Sequence, residues 1–359
     1  MSVHLAGIRV LDLSQYIPGP YASLLLADLG ASVVKVEPPG GDPMRGLGPR
    51  DADGISPLWK AMNGGKTILE LDLKSPDGTG LLADLLARAD VLIESYRPGT
   101  LDRLGFGGDR LAALNPRLVH VAISGYGQTG PWRLRAGHDI NYMATGGGLW
   151  ASGTREAPQI SHPPTADFAA AQFAAFAACA ALVGRAASGK GAHIDASLAD
   201  TVAGWQGPLL AQHGRTGFDQ SRGHGLLNGG AAFYRIYACA DGHVTLGAIE
   251  PKFWANFCKA VGRPDWIARQ GEALPQTALI AELETLFHTR PRSEWEAVLG
   301  PADCCFATVL EPGEMVGHPQ IANRGTLGRF PAWLDGAPPP ERPAAIQATV
   351  ASVRAGWGL

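Results

Sequence analysis

Over residues 9–124 the chain alternates short apolar runs with helical patterns, and that alternation restricts its fold more than any other feature. Residues 9–13, 32–37, 67–73, 90–96 and 118–124 are rich in Val, Ile and Leu and read as strands. Residues 21–29, 78–89 and 110–114 lie between most of them with helical spacing. Such alternation predicts an α/β fold, a doubly wound (Rossmann-like) parallel sheet with helices on both faces. At 359 residues there is room for one sizeable domain of this kind and a smaller one.

Further along, a long helix is expected from Asp167 to about Ala187, ended by Gly189-Lys190-Gly191, then a short strand over 193–197. Residues 233–238 and 243–249, joined through Asp241-Gly242, read as a β-hairpin. After Pro251 the pattern turns mainly helical. These shifts predict a large α/β domain over residues 1–190, completed by 326–359. Linker helices are expected over 191–225, and a small α+β domain over 226–325. The segment 42–63 has little periodicity and several Gly and Pro, as functional or mobile loops do. The apolar run 168–184 is short for a membrane span and rich in alanine, so a buried core helix is expected.

The net charge of −3 offers no basic footprint for nucleic acid. Five cysteines without paired spacing fit a reducing cytoplasm, each as a small buried hydrophobe. No charged segment followed by a long apolar core opens the chain, so no secretory signal is expected. No HExxH or clustered Cys/His spacing suggests a metal. Asn63-Gly64-Gly65-Lys66-Thr67 ends like a phosphate-binding loop, but Lys60 stands at the required upstream glycine. The turn 14–20 lacks the three spaced glycines of a dinucleotide site, which argues against a nicotinamide enzyme.

The chemistry concentrates in Gly137-His138-Asp139, Asp167 and Glu250-Pro251. His138 closes a Gly-rich loop leaving the carboxyl end of a predicted strand, where α/β sheets bind ligands, and imidazole titrates near neutrality. One histidine of ten is by itself more often a surface or core residue. Asp167, just before a helical run, is compatible with a helix cap, a nucleophile or an acid/base. Glu250 precedes a proline suited to the first position of a helix. It is either a helix-entry carboxylate or the partner that orients an imidazole.

The segments Leu11-Asp12-Leu13, Gly19-Pro20, Ala27-Asp28-Leu29-Gly30-Ala31 and Val36-Glu37-Pro38-Pro39-Gly40-Gly41-Asp42 resemble the N-terminal signature of class III CoA-transferases. Ser95-Tyr96-Arg97-Pro98-Gly99, Asp102-Arg103-Leu104-Gly105, Ser188-Gly189-Lys190-Gly191 and Ala238-Cys239-Ala240-Asp241-Gly242 extend that resemblance to about residue 325. Gly137-His138-Asp139 with Gly247-Ala248-Ile249-Glu250-Pro251 is similar to the α-methylacyl-CoA racemase branch; transferases usually carry Gly-Phe-Asp in the first segment. The resemblance implies His138 and Asp167 as the two acid/base residues and Glu250 as partner of His138. Asp139 and Tyr234 would lie near the reacting carbon. It implies an acyl-CoA thioester substrate with no separate cofactor, its CoA held by Arg103 and Tyr96, with Lys66. Pro38 stands where many relatives have an adenine-site arginine, and Lys35 or Arg45 is expected to replace it. It further implies an interlocked homodimer threaded by connectors over 207–227, with Glu250 approaching the catalytic loop of the other subunit. The transferase alternative makes Asp167 a covalent nucleophile.

Overall fold

A computed structural model describes residues 4–217 and 221–359. The chain divides into a larger unit, Met1–Gly146 with His162–Gly204 and Pro319–Leu359, and a smaller one, Gly147–Ser161 with Trp205–His318. In chain order the larger unit opens with β1 (Arg9–Asp12), α1 (Pro18–Asp28), β2 (Ser32–Glu37), α2 (Pro57–Asn63) and β3 (Thr67–Glu70). It continues with α3 (Pro76–Arg88), β4 (Val91–Glu94), α4 (Thr100–Arg103), α5 (Gly108–Leu114) and β5 (Val119–Ser124). Next come α6 (Asp139–Thr145), α7 (Thr165–Ser188), β6 (Ala192–Ser197) and α8 (Leu198–Thr216). The division between the units falls inside α8. The smaller unit holds β7 (Tyr234–Cys239), β8 (Gly242–Gly247), α9 (Pro251–Ala260), α10 (Thr277–Phe287), α11 (Arg292–Leu299), β9 (Phe306–Thr308) and α12 (Pro312–Gly317). Finally α13 (Pro319–Arg324), β10 (Ile346–Ala348) and α14 (Val350–Trp357) belong to the larger unit.

The larger unit is a seven-stranded sheet in the order β10-β3-β2-β1-β4-β5-β6, with every pairing parallel. Strands β3-β2-β1-β4-β5-β6 reproduce the doubly wound order, so the strand sequence reverses direction between β1 and β4. One face is closed by Leu81, Leu82, Leu85 and Leu86 of α3, packed with Leu11, Val34 and Leu92. Helix α3 starts cleanly because the Ser75 hydroxyl accepts the Gly78 N–H at 3.0 Å and Pro76 occupies its first turn. On α7, Ala166, Ala170, Ala171, Ala174 and Ala178 form a buried stripe that lets α1 approach closely. The expectation of a core helix holds for that stripe alone, since Phe176 and Val183 are 71% and 75% exposed.

The smaller unit is an antiparallel sheet, β7-β8-β9, over a core of Trp254, Phe257, Trp266, Phe287 and Trp295. The main part of the smaller unit runs over Trp205–His318, not 226–325, and two further boundaries differ from the sequence-based ones. The segment expected to be linker begins with β6, which pairs with β5 from Val119↔Ala192 to Ser124↔Ser197. Residues 147–161 belong to the smaller unit, where Arg222 donates to the carbonyls of Trp150 at 2.7 Å and Thr154 at 3.1 Å. Both differences arise from pairings between distant segments, which local periodicity does not register. Of the connector expected over 207–227, α8 takes the first part, and residues 218–220 lie outside the described residues. The segment 42–63 carries a 3₁₀ turn at Pro43–Gly46 and then α2, anchored by buried Trp59 and Met62. Cys239, Cys258 and Cys304 are buried as expected, whereas Cys305 is exposed.

Candidate active site

A cavity of about 480 Å³ opens in the larger unit. Its walls come from the loops after β1 (Gln15, Tyr16), after β4 (Ser95, Tyr96) and after β5 (Ser124, Gly125). This is the carboxyl edge of the sheet at the reversal between β1 and β4, where parallel sheets splay their loops apart and leave a crevice. His138, Asn141, Tyr142 and Asp167 also line it.

The loop from Gly125 to Gly137 brings the imidazole there. His138 is the N-cap residue of α6, with extended backbone. Its N–H donates to Asn141 Oδ1 at 3.0 Å and its carbonyl accepts the Asn141 N–H at 2.8 Å, which fixes the main chain while the side chain stays exposed. Tyr142 locks the loop from within by donating from its hydroxyl to the Gly137 carbonyl at 2.5 Å. A Cβ on Gly125 would sit 2.4 Å, and one on Gly137 2.8 Å, from Tyr142 Cε1. Glycine at both positions is therefore a packing requirement of that ring.

Asp167 stands in the first turn of α7, with Pro164 at the cap position, so it is not the N-cap that its sequence setting suggested. Its N–H donates to Asp139 Oδ1 at 3.1 Å, so a residue of α6 supplies a carboxylate to the start of α7 and ties the two helices together. Burial first, and the neighbouring Asp139 charge second, push the Asp167 carboxyl up from 3.8 to about 7. The helix N-terminus works the other way, yet its effect at a first turn is too small to offset loss of water. The cavity thus holds an imidazole and a carboxyl that keeps its proton close to neutrality.

Tyr96 lines the same cavity; its N–H donates to Glu94 Oε2 at 2.7 Å, and burial followed by the Glu94 and Asp12 charges raises its hydroxyl to about 12. Lys66 does not reach it. Its ammonium is fully buried, donating to the Pro20 carbonyl at 2.8 Å and Asn63 Oδ1 at 3.0 Å, and lying 3.4 Å from Asp12. Lys35 is equally enclosed, 3.0 Å from Asp42 and 2.6 Å from the Ser14 carbonyl that it binds. Both lysines brace the β1–α1 turn from below, which corrects the expectation that they meet a ligand. Arg45 is half-buried, paired with Glu37 at 2.7 Å and stacked 3.8 Å above Trp59. Arg103 is exposed and donates to Thr100 Oγ1 at 2.8 Å. Neither arginine lines the cavity.

Tyr234 and Glu250 belong to the smaller unit. Tyr234 opens β7 opposite Gly247, and Glu250 is the N-cap residue of α9, with Pro251 at its first position and no side-chain hydrogen bond to the helix. Among the cavity-lining residues, sequence reasoning passed over Arg97, Arg133, Arg135 and Tyr142. Arg133, Arg135 and Tyr142 around one imidazole were visible in 132–142 only as composition, because nothing in a loop sequence says which way its side chains turn, and Arg97 comes from a separate loop.

The model of CoA-transferase family III matches residues 5–356 of the chain. The α-methylacyl-CoA racemase of Homo sapiens is 35% identical over 327 residues, covering 90% of this chain and 82% of that protein. The acetyl-CoA:oxalate CoA-transferase of Acetobacter aceti is 31% identical over 330 residues, covering 89% and 84%. The crystal structure of a CAIB/BAIF family protein from Brucella suis superposes with a TM-score of 0.86 at 28% identity, covering 99% of this chain and 100% of that one. A match spanning nearly the whole sequence, on a fold that places an imidazole and a carboxyl in one crevice, makes this chain a member of CoA-transferase family III.

Proposed function

We propose that the chain is a 2-methylacyl-CoA racemase, interconverting (2R)- and (2S)-thioesters by moving a proton through an enolate. The observation that carries the reading is the pairing in one cavity of His138 with an Asp167 carboxyl raised to about 7. A group that takes and returns a proton works best with its pKa near the operating pH. The thioester acidifies the α-hydrogen. In one direction His138 removes it and protonated Asp167 delivers a proton to the opposite face; in the other the roles reverse. The Asp167 N–H already serves Asp139, so the first N–H groups of α6, at Asp139 and Ile140, are the donors assigned to the enolate oxygen. A donor of this kind contributes about 3 kcal/mol in such sites. CoA enters as part of the substrate, and no separate cofactor is invoked. Glu250 is assigned to orient the His138 imidazole, delivered by a second copy of the chain in a cytoplasmic homodimer. Tyr234 is assigned to the same face of the substrate.

A second reading has support from the relatives, which include the acetyl-CoA:oxalate CoA-transferase of Acetobacter aceti and the succinyl-CoA–D-citramalate CoA-transferase of Chloroflexus aurantiacus. In that reading Asp167 attacks the thioester to form an acyl-enzyme anhydride, the released CoA thiolate converts it to an enzyme–CoA thioester as the original acyl group leaves as its carboxylate, and CoA then passes to an acceptor carboxylate. Proton NMR of 2-methylacyl-CoA in D2O separates the two. The racemase reading requires solvent deuterium at the α-carbon of both epimers. It also requires His138→Ala to slow exchange from one epimer more than the other, with the opposite bias in Asp167→Ala. No deuterium in any of several branched substrates, with CoA transfer to an added carboxylate, would leave the transferase reading standing.

A further inference from the structure

Three guanidiniums, Arg97, Arg133 and Arg135, share the cavity lining with His138, and the one carboxylate there is Asp167. Cationic side chains near a reaction centre are commonly paired off by structural acids, as Arg45 is by Glu37. Arg133 and Arg135 have no such partner among the described residues, neither an ion pair nor a side-chain hydrogen bond. Arg135 is nevertheless stationed. Its guanidinium lies 4.1 Å over the Trp132 ring, Trp132 meets Tyr126 edge-on at 5.3 Å, and Tyr126 meets Tyr142 at 5.1 Å. That ladder ends on the tyrosine which locks the Gly137 carbonyl beside His138. A ring face holds a guanidinium in place without neutralising it, so the five N–H donors stay available for an anion.

Two features point away from CoA as the source of that anion. Of the residues tied to CoA, Tyr96 lines this cavity, but the basic ones suited to phosphates, Arg103 and Arg45, lie outside it. The CoA diphosphate is also separated from the thioester carbon by the whole pantetheine arm, whereas Arg135 stands three residues before His138. Planar bidentate recognition by arginine suits a carboxylate.

We infer that Arg133 and Arg135 recognise a carboxylate on the acyl group, so that the preferred substrate is the mono-CoA thioester of a 2-methyl dicarboxylic acid. This rests on the thioester reading of the site given above. The two arginines select the substrate and leave proton transfer to His138 and Asp167.

The test compares 2-methylglutaryl-CoA, with the thioester on the carboxyl next to the branch, against 2-methylpentanoyl-CoA, which replaces its free carboxylate by a methyl group. Exchange of the α-hydrogen is followed for the intact protein and for Arg133→Gln, Arg135→Gln and the double variant, with the Kd of free CoA measured by calorimetry. The expected result is a kcat/KM ratio favouring 2-methylglutaryl-CoA by about tenfold or more, collapsing in the double variant, with the Kd of CoA unaltered. Equal losses for both thioesters together with weaker CoA binding would mean that the arginines hold CoA phosphates, and would overturn the inference. A ratio near one in the intact protein would overturn it as well. If the intact protein exchanges neither thioester, the racemase reading fails, and selection is read from the two thioester Kd values across the same variants. A preference for the dicarboxylic thioester that the variants abolish then supports recognition, and its absence overturns it.

Discussion

Asp167 shows how one residue's burial sets both its chemistry and its cost to the fold. Its carboxyl is raised above the ordinary range, so the folded protein holds that proton more tightly than the unfolded chain does. The stabilising contribution of the protonated group is full below about pH 4 and is lost as pH rises through about 7. Asp167→Asn, which never ionises, should therefore match the native protein near pH 4 and exceed it at pH 8, by a few °C in Tm. Thermal unfolding at the two pH values checks this; a gap that does not change with pH would show that folding does not raise the carboxyl's pKa. The same variant should no longer racemise, so a gain in stability would accompany loss of function. Lys66 is the opposite case, a charged residue whose motif-like setting suggested a ligand. Its ammonium, pushed down to about 7 chiefly by burial, is held with Asp12 inside the fold.

At the level of elements, the site depends on α6 and α7 meeting through Asp139 and on Tyr142 filling the space left by two glycines. Gly137→Ala places a methyl group against the Tyr142 ring and must displace either the ring or the His138 loop. A displacement of about 1 Å at a reacting group lowers turnover about a hundredfold. The expected outcome for Gly137→Ala is a fall in exchange rate of that order, partly restored by adding Tyr142→Ala, which removes the obstructing ring. Exchange rates of the single and double variants decide it. A single variant within twofold of the native rate would refute the packing argument.

For the whole molecule, Phe176 and Val183 on α7 and Leu210 on α8 are 62–75% exposed. A homodimer would cover such side chains, and the proposed assignment of Glu250 to a neighbouring chain is testable by mixing lesions. His138→Ala and Glu250→Gln should each fail to racemise alone. Co-expressed, they form mixed dimers in which one site has an intact His138 from one chain and an intact Glu250 from the other. Statistical pairing then restores about a quarter of native racemisation. No restoration would place His138 and Glu250 of a site in one chain, and a monomer in sedimentation would remove the dimer altogether.

Local pattern was enough for the parallel sheet, because β1 to β5 are near-continuous apolar runs separated by helices, and periodicity reports what each segment must bury. It was enough for the hairpin β7–β8 and for locating His138 and Asp167, whose Gly-rich and helix-entry settings are written in adjacent residues. It missed the place of 147–161 and the role of β6, because both depend on pairing between segments far apart in sequence. Sequence also left Asp167 open between cap, nucleophile and acid/base. Only the tertiary structure put it in the first turn of α7 beside Asp139 and out of water, since desolvation is a property of everything packed around a group and not of its neighbours along the chain. For the same reason Lys66 and Lys35, basic residues that read as ligand contacts, proved to be buried beneath the β1–α1 turn. Arg133 and Arg135, which no motif singled out, proved to face the cavity.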